Sequence, residues 1–149
     1  MLKSFATLID VAQHKTDSAA IKVGQLNARL SESDQKHSVL VNYRDEYRLR
    51  LETAVTRGAP VAEVRNFRAF LDKLDEAVEQ QENEVGFWRD QIDNALGKWQ
   101  GEQRSLSSFN TISARRDALE SRAQGRREQK QQDEFAARAV GSQRFAFGE

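Results

Sequence analysis

His14 and His37 are the only two side chains in this 149-residue chain that could bind a transition metal as imidazole. They stand far apart along what reads as one helix. They cannot chelate together, and each reads as a solvated or seam histidine. Carboxylate pairs such as Asp75–Glu76 and Glu82/Glu84 have the residue types of a general acid and base. In a chain that is 31% charged, though, such pairs read as a wet helix face. No glycine-rich phosphate loop, nucleophile elbow or zinc spacing occurs, and with no cysteine there is neither thiolate nor disulfide chemistry. Gly86, Gly97 and Gly101 cluster near Trp88 and Trp99, either as tolerated surface glycines or as a source of local flexibility. These residues predict a protein that is not an enzyme and holds no cofactor or metal.

The elements that carry these residues follow from composition and period. Hydrophobic residues make up 38% of the chain, too few for a globe of this size but suited to long helices burying one stripe. Lysine plus arginine equals aspartate plus glutamate at 23 each, so net charge draws the chain to neither nucleic acid nor acidic lipid. No stretch approaches the roughly 20 apolar residues of a membrane span, and the opening MLKSFATLIDVAQHK lacks the core and cleavage site of a signal peptide. The expectation is one soluble, cytoplasmic domain.

From Leu2 onward, alternating steps of three and four select Leu2, Phe5, Ile9, Ala12 and so on to Leu51 and Ala54. After a break they select Val64, Phe67, Leu71 and Leu74, on to Ser113 and Arg116. In each run twelve of sixteen positions are apolar, and a repeat sustained over that many heptads argues coiled coil rather than a globular helix pair. The break is AVTRGAPVAEV, which holds the only proline of the chain. Gly58 can close a helix in the left-handed conformation, and Pro60 can precede the first turn of the next. An interior proline costs a helix about 3 kcal/mol, so the chain is predicted to fold back. The fold class is therefore all-α, a long antiparallel two-helix coiled-coil hairpin whose second helix is longer and overhangs. Helix one spans about residues 2–57, the turn 58–60 and helix two about 61–138, within a single domain 1–140 followed by a disordered tail 141–149.

Pairing positions whose numbers total 118 sets Leu51 against Phe67, Leu30 against Trp88, Ile9 against Phe109 and Phe5 against Ser113. His37 then faces Gln81 and Thr16 faces Glu102, polar layers of the kind that fix register at some cost in stability. A two-stranded seam buries a line and leaves no room for an ordinary substrate pocket.

Two features depart from a plain coiled coil. Residues 117–149 have no partner on helix one, and segment 114–138 holds seven basic residues against five acidic. That overhang is either a solvated helix or a docking surface. Arg115, Arg122, Arg126, Arg127 and Lys130 place charges on it without a hydrophobic partner. Apolar residues also lie off the seam. Phe70 and Ala77 flank Leu74, with Tyr43 beside them, and Phe87 and Leu49 stand apart. The first group is either a partner site or a widened seam that buries Phe70.

The blocks LVNYRDEYRLRL, NFRAFLDKLDEAV, ALGKWQ and EQKQQDEFAARA, with the break between the first two, resemble the FliJ family of flagellar export proteins over about Leu8 to Val140. The resemblance implies an antiparallel coiled coil similar to the stalk of the gamma subunit of rotary ATP synthases. It further implies insertion into the hexameric ring of the flagellar export ATPase, help in its assembly, contact with the transmembrane export gate, and a chaperone-escort role. The place implied is the cytoplasm, peripheral to the inner-membrane export apparatus, with the free protein a monomer that binds no nucleic acid. Carried over by position, the gate-contacting stripe falls on Phe70, Leu74, Ala77 and Gln81, with glutamine where better-known members have histidine. The family's tail block falls on Gln129, Lys130, Asp133, Glu134 and Phe135. Of these, Lys130, Asp133, Glu134 and Phe135 form the expected ATPase-ring surface with Arg115, Arg122, Arg126 and Arg127, at the open end of the hairpin where the overhang leaves. The alternatives are a central stalk of a virulence-type secretion ATPase and a structural homodimeric coiled coil in which Gly58–Pro60 is only a kink.

Overall fold

The computed structural model describes the backbone of residues 2–146 and the side chains of residues 4–144. Two α-helices account for nearly all of it, α1 (Leu2–Arg57, 56 residues) and α2 (Val61–Ala146, 86 residues). They pack against each other as a coiled-coil hairpin.

The turn is built by the residues that break the period. Gly58 takes a φ of 76°, the left-handed conformation open to glycine without a Cβ penalty. The Gly58 N–H donates to the Val55 carbonyl at 3.1 Å and the Ala59 N–H to the Ala54 carbonyl at 2.9 Å. This pair of bonds is the Schellman closure, which satisfies carbonyls that a helix end otherwise leaves unpaired. On the far side the Pro60 carbonyl accepts the first bond of α2, from the Val64 N–H at 3.2 Å. Proline at that point loses nothing by lacking a donor. Arg57 in the last turn of α1 reaches Glu63 in the first turn of α2 at 3.1 Å, each residue bearing the charge its helix end favours.

The described chain divides into two compact units, one of residues 14–103 and one of residues 1–13 with 104–149. In the first unit every seam position selected by the heptad steps is buried or half-buried. Ala19, Leu26, Ala54, Leu71, Leu74, Val78, Val85 and Ile92 are buried, with Thr16 and Ser33 the buried polar residues. Small residues of α1 are fully covered, whereas the longer Leu30, Leu40 and Tyr47 keep an edge in solvent. That is the geometry of a two-stranded seam, where a large side chain spans the line of contact and emerges at its rim. Burying each Val, Leu or Ile there contributes about 1.5–3 kcal/mol.

Register in this unit shows in the cross-helix contacts. Ser33 meets Gln81 and Tyr47 meets Phe67, numbers that total 114, while His37–Glu82 and Arg44–Asp75 total 119. These bracket the expected 118, but they change the polar layer. His37 is not matched by Gln81; its Nε2 lies 3.2 Å from Glu82, and Gln81 turns to Ser33. Helical side chains lean toward the N-terminus of their own helix, so across antiparallel strands the seam partner is found about one turn earlier than backbone pairing suggests.

In the second unit Ala12 is buried, and Phe5, Ile9, Leu106, Phe109, Ser113 and Arg116 are half-buried. Phe5 meets Phe109 edge-on with ring centroids 6.3 Å apart, rather than facing Ser113, and the Arg116 guanidinium lies 6.0 Å from the Phe5 ring. Past Arg116 the side chains of 117–144 are exposed except for half-buried Ala123. The helix nonetheless continues to Ala146, beyond the expected end near 138, and residues 141–146 are helical rather than part of a disordered tail. No proline follows Pro60, and the single glycine there, Gly141, costs only about 1 kcal/mol against alanine. Residues 147–149 of the expected tail, and the seam side chain of Leu2, lie outside the described residues.

Candidate partner surfaces

The off-seam edge of α2 lies in the unit of residues 14–103. Its heptad places are mixed: Leu74 and Gln81 are seam residues, and Phe70 and Ala77 sit one step outside the seam. Leu74 is buried, and Gln81 is half-buried with its amide nitrogen donating to the Ser33 hydroxyl at 2.8 Å and carbonyl at 3.0 Å. Both serve the hairpin itself. Ala77 is half-buried, and Phe70 keeps 41% of its surface exposed.

Of the two alternatives for Phe70, the widened seam holds in part, since the ring packs on α1 within the hairpin. Its ring lies against Tyr47 of α1, tilted by 48° with centroids 4.5 Å apart, so it is partly packed and partly open. Tyr47 in turn meets Phe67 at 6.2 Å and is covered by the Arg50 guanidinium at 5.0 Å. The neighbour of Phe70 in contact is thus Tyr47, not Tyr43, which stands 51% exposed one turn away. Reading the sequence missed Arg50 as a cap on this cluster, although its position three after Tyr47 on the same helix was the available signal. Phe87, also off the seam, packs its ring against Trp88 at 5.1 Å and remains half exposed.

On the opposite flank of this unit, Asp75 is shared by Arg48 at 3.4 Å and Arg44 at 4.0 Å. Arg44 Nε is buried and makes no hydrogen bond among the described residues. These contacts tie α1 to α2.

The expected ring surface lies in the other unit, on α2 from Arg115 onward. At about 100° per residue, Arg115, Arg122, Arg126 and Asp133 fall within a narrow sector of the helix, and Lys130 borders it. Arg127 and Glu134 lie on a flank, and Phe135 on the opposite side. The helix therefore brings five of the eight candidates to one face and separates the other three. All eight are exposed, Phe135 at 76%. Gln129 donates to Asp133 at 3.2 Å one turn on. Glu128, Gln131, Gln132 and Phe135 line a shallow groove on the far face.

A model of the family described as Flagellar FliJ protein matches residues 1–144. The chain belongs to the FliJ family. Among relatives, the Flagellar FliJ protein of Salmonella typhi is 31% identical over 134 residues, covering 90% of this chain and 91% of the relative. The Flagellar FliJ protein of Escherichia coli (strain K12) is 28% identical over 137 residues, covering 92% and 93%. Family membership thus spans both helices and most of the unpaired length of α2. No group of three or more His, Cys, Asp and Glu among the described residues could hold a metal ion, and no described helix is long and apolar enough to cross a membrane.

Proposed function

We propose that this chain is a non-catalytic component of flagellar protein export. It acts as a coiled-coil stalk that enters the ring of the export ATPase, promotes its assembly and activity, and links it to the transmembrane export gate. A role in escorting export chaperones accompanies it, and the setting is the cytoplasmic face of the inner-membrane export apparatus. The observation that carries this reading is the bare stretch of α2 past Arg116. A helix that buries almost nothing against its own chain gains little by persisting, yet this one continues, with Arg122 and Arg126 in the same sector as Arg115. Charges on a narrow, unpaired helix suit insertion into a ring whose lining repeats around six subunits. The aromatic cluster at Phe70 suits the gate, because a ring partly packed and partly open offers apolar area without unravelling the seam.

The test is ATPase stimulation in vitro. Replacing Arg122, Arg126, Arg127 and Lys130 together by glutamate is expected to abolish stimulation of the export ATPase while helicity stays unchanged. Full stimulation by this variant overturns the assignment of the ring contact to the bare helix.

A further inference from the structure

Helix α1 carries six of its cations in one line. In the unit of residues 14–103, Lys15, Lys22, Arg29, Lys36, Arg50 and Arg57 recur at multiples of seven residues, with half-exposed Tyr43 at the one vacant step. All are exposed. On a two-stranded coiled coil such residues share one stripe beside the seam, about 10.5 Å apart at each heptad step. The other arginines of this stretch, Arg44 and Arg48, are committed to Asp75 across the hairpin. Asp17, Asp45 and Glu52 share one heptad place, on nearly the opposite side of the helix. The row itself carries no acid, although Glu32 and Glu46 lie one turn before Lys36 and Arg50.

Part of the row is compensated within the chain. Lys36 stands 3.8 Å from Glu32, Arg50 2.8 Å from Glu46 and Arg57 3.1 Å from Glu63. Among the described residues, Lys15, Lys22 and Arg29 have no carboxylate within 4.0 Å. The row also borders two shallow grooves. Lys22, Arg29 and Glu32 line one with Leu26 and Trp88, and Arg50, Arg57 and Glu63 line the other with Ala54 and Phe67. The second groove repeats the first after four heptads, Lys22 giving way to Arg50 and Arg29 to Arg57. The first is a hollow between two cations and one acid; the second also holds Glu46, so Arg50 and Arg57 stand there with two acids.

We propose that this edge of the hairpin docks an acidic amphipathic helix of a partner protein. Its apolar side chains enter the two grooves, and its carboxylates fall beside the cations at seven-residue spacing. Charge complementarity and the repeat together select this occupant, since a helix with heptad acids has the same period as the row. An anionic membrane fits poorly, because Glu32, Glu46 and Glu63 stand within a turn of the cations and the apolar groups lie in hollows rather than on crests. Duplex DNA offers one charge per about 1.7 Å of axis, far denser than this row. Each ion pair is exposed and individually weak, so binding depends on the whole row and weakens with salt.

The probe is a synthetic helical peptide of five heptads with glutamate at every seventh position and leucine facing the grooves. A peptide of the same composition in shuffled order is the control. Fluorescence anisotropy with the full chain is expected to show at least tenfold tighter binding of the ordered peptide, lost as salt rises. The triple variant Lys15→Glu, Lys22→Glu, Arg29→Glu is expected to lose at least tenfold in affinity with an unchanged circular dichroism melt. The neutral variant Lys22→Gln, Arg29→Gln is expected to weaken binding in the same direction. Arg65→Glu with Arg89→Glu, charges off the row, is expected to bind as the parent does. Equal binding of both peptides, or equal loss in the off-row variant, overturns the proposal. So does binding to phosphatidylglycerol vesicles in place of the ordered peptide. Concentration-dependent dimerisation abolished by the triple variant overturns it too, by making a second copy the occupant.

Discussion

The side-chain amide of Gln81 donates to both the hydroxyl and the backbone carbonyl of Ser33, at 2.8 and 3.0 Å, across a seam that is otherwise mostly apolar. Ser33 is only 3% exposed, so its hydroxyl has little recourse to water. Buried polar groups hold their place only when paired, which makes this contact a register mark. Sliding one helix by a heptad would part the two residues and set each against aliphatic neighbours.

Gln81→Ala is therefore expected to cost about 1–2 kcal/mol in urea denaturation. The same substitution in a Ser33→Ala background is expected to cost clearly less, because the interaction is then already gone. Equal costs in both backgrounds would mean that the two residues act independently.

The glycines give predictions of opposite sign. Gly58 sits at a φ of 76°, so Gly58→Ala is expected to destabilise the hairpin by about 1 kcal/mol. Gly97 lies within α2, and a Cβ built there meets nothing within 4 Å. Gly97→Ala is expected to stabilise by about 1 kcal/mol, the difference in helix propensity. Thermal melts of the two variants on either side of the parent would bear this out.

The cluster of Tyr47, Phe67 and Phe70 separates folding from partner binding. Phe70→Ala removes a ring that is 41% exposed and only partly packed, so the loss of stability is expected to stay near 1 kcal/mol. Combined with Ala77→Asp, it is expected to keep helicity and ATPase stimulation while impairing export and gate binding. A double variant that unfolds would show that Phe70 is core, and the gate assignment would fail.

Truncation after Ser121 removes side chains that, among the described residues 122–144, are all exposed except Ala123. The melting midpoint is expected to stay within the shift that about 0.5 kcal/mol produces. ATPase stimulation is expected to vanish together with the bare helix.

The heptad steps made the fold legible, because from Phe5 to Arg116 each seam position they select is buried or half-buried. Gly58 and Pro60 marked the turn for the reason they occupy it, one supplying a left-handed φ and the other a helix start without a donor. What stayed hidden was side-chain direction. Backbone pairing set His37 against Gln81, but the lean of both side chains gives Glu82 to His37 and Ser33 to Gln81. The end of α2 was hidden too, since polar residues without a seam look like a tail although they are good helix formers. Of the candidate surface, Phe70 stood out as an aromatic off the seam, but its packing on Tyr47 depends on a crossing that the period leaves open.

The turn also dictates an order of assembly. Arg57 reaches Glu63 across six residues of sequence, Arg48 reaches Asp75 across 27 and His37 reaches Glu82 across 45. Closing a loop costs entropy that grows only with the logarithm of its length, and each contact made near Gly58 shortens the loop that the next must close. The chain of residues 14–103 can thus zip from its turn outward, without the long search that non-local folds undergo. Unzipping runs the other way, so the layers farthest along the sequence from Gly58 open first and most often.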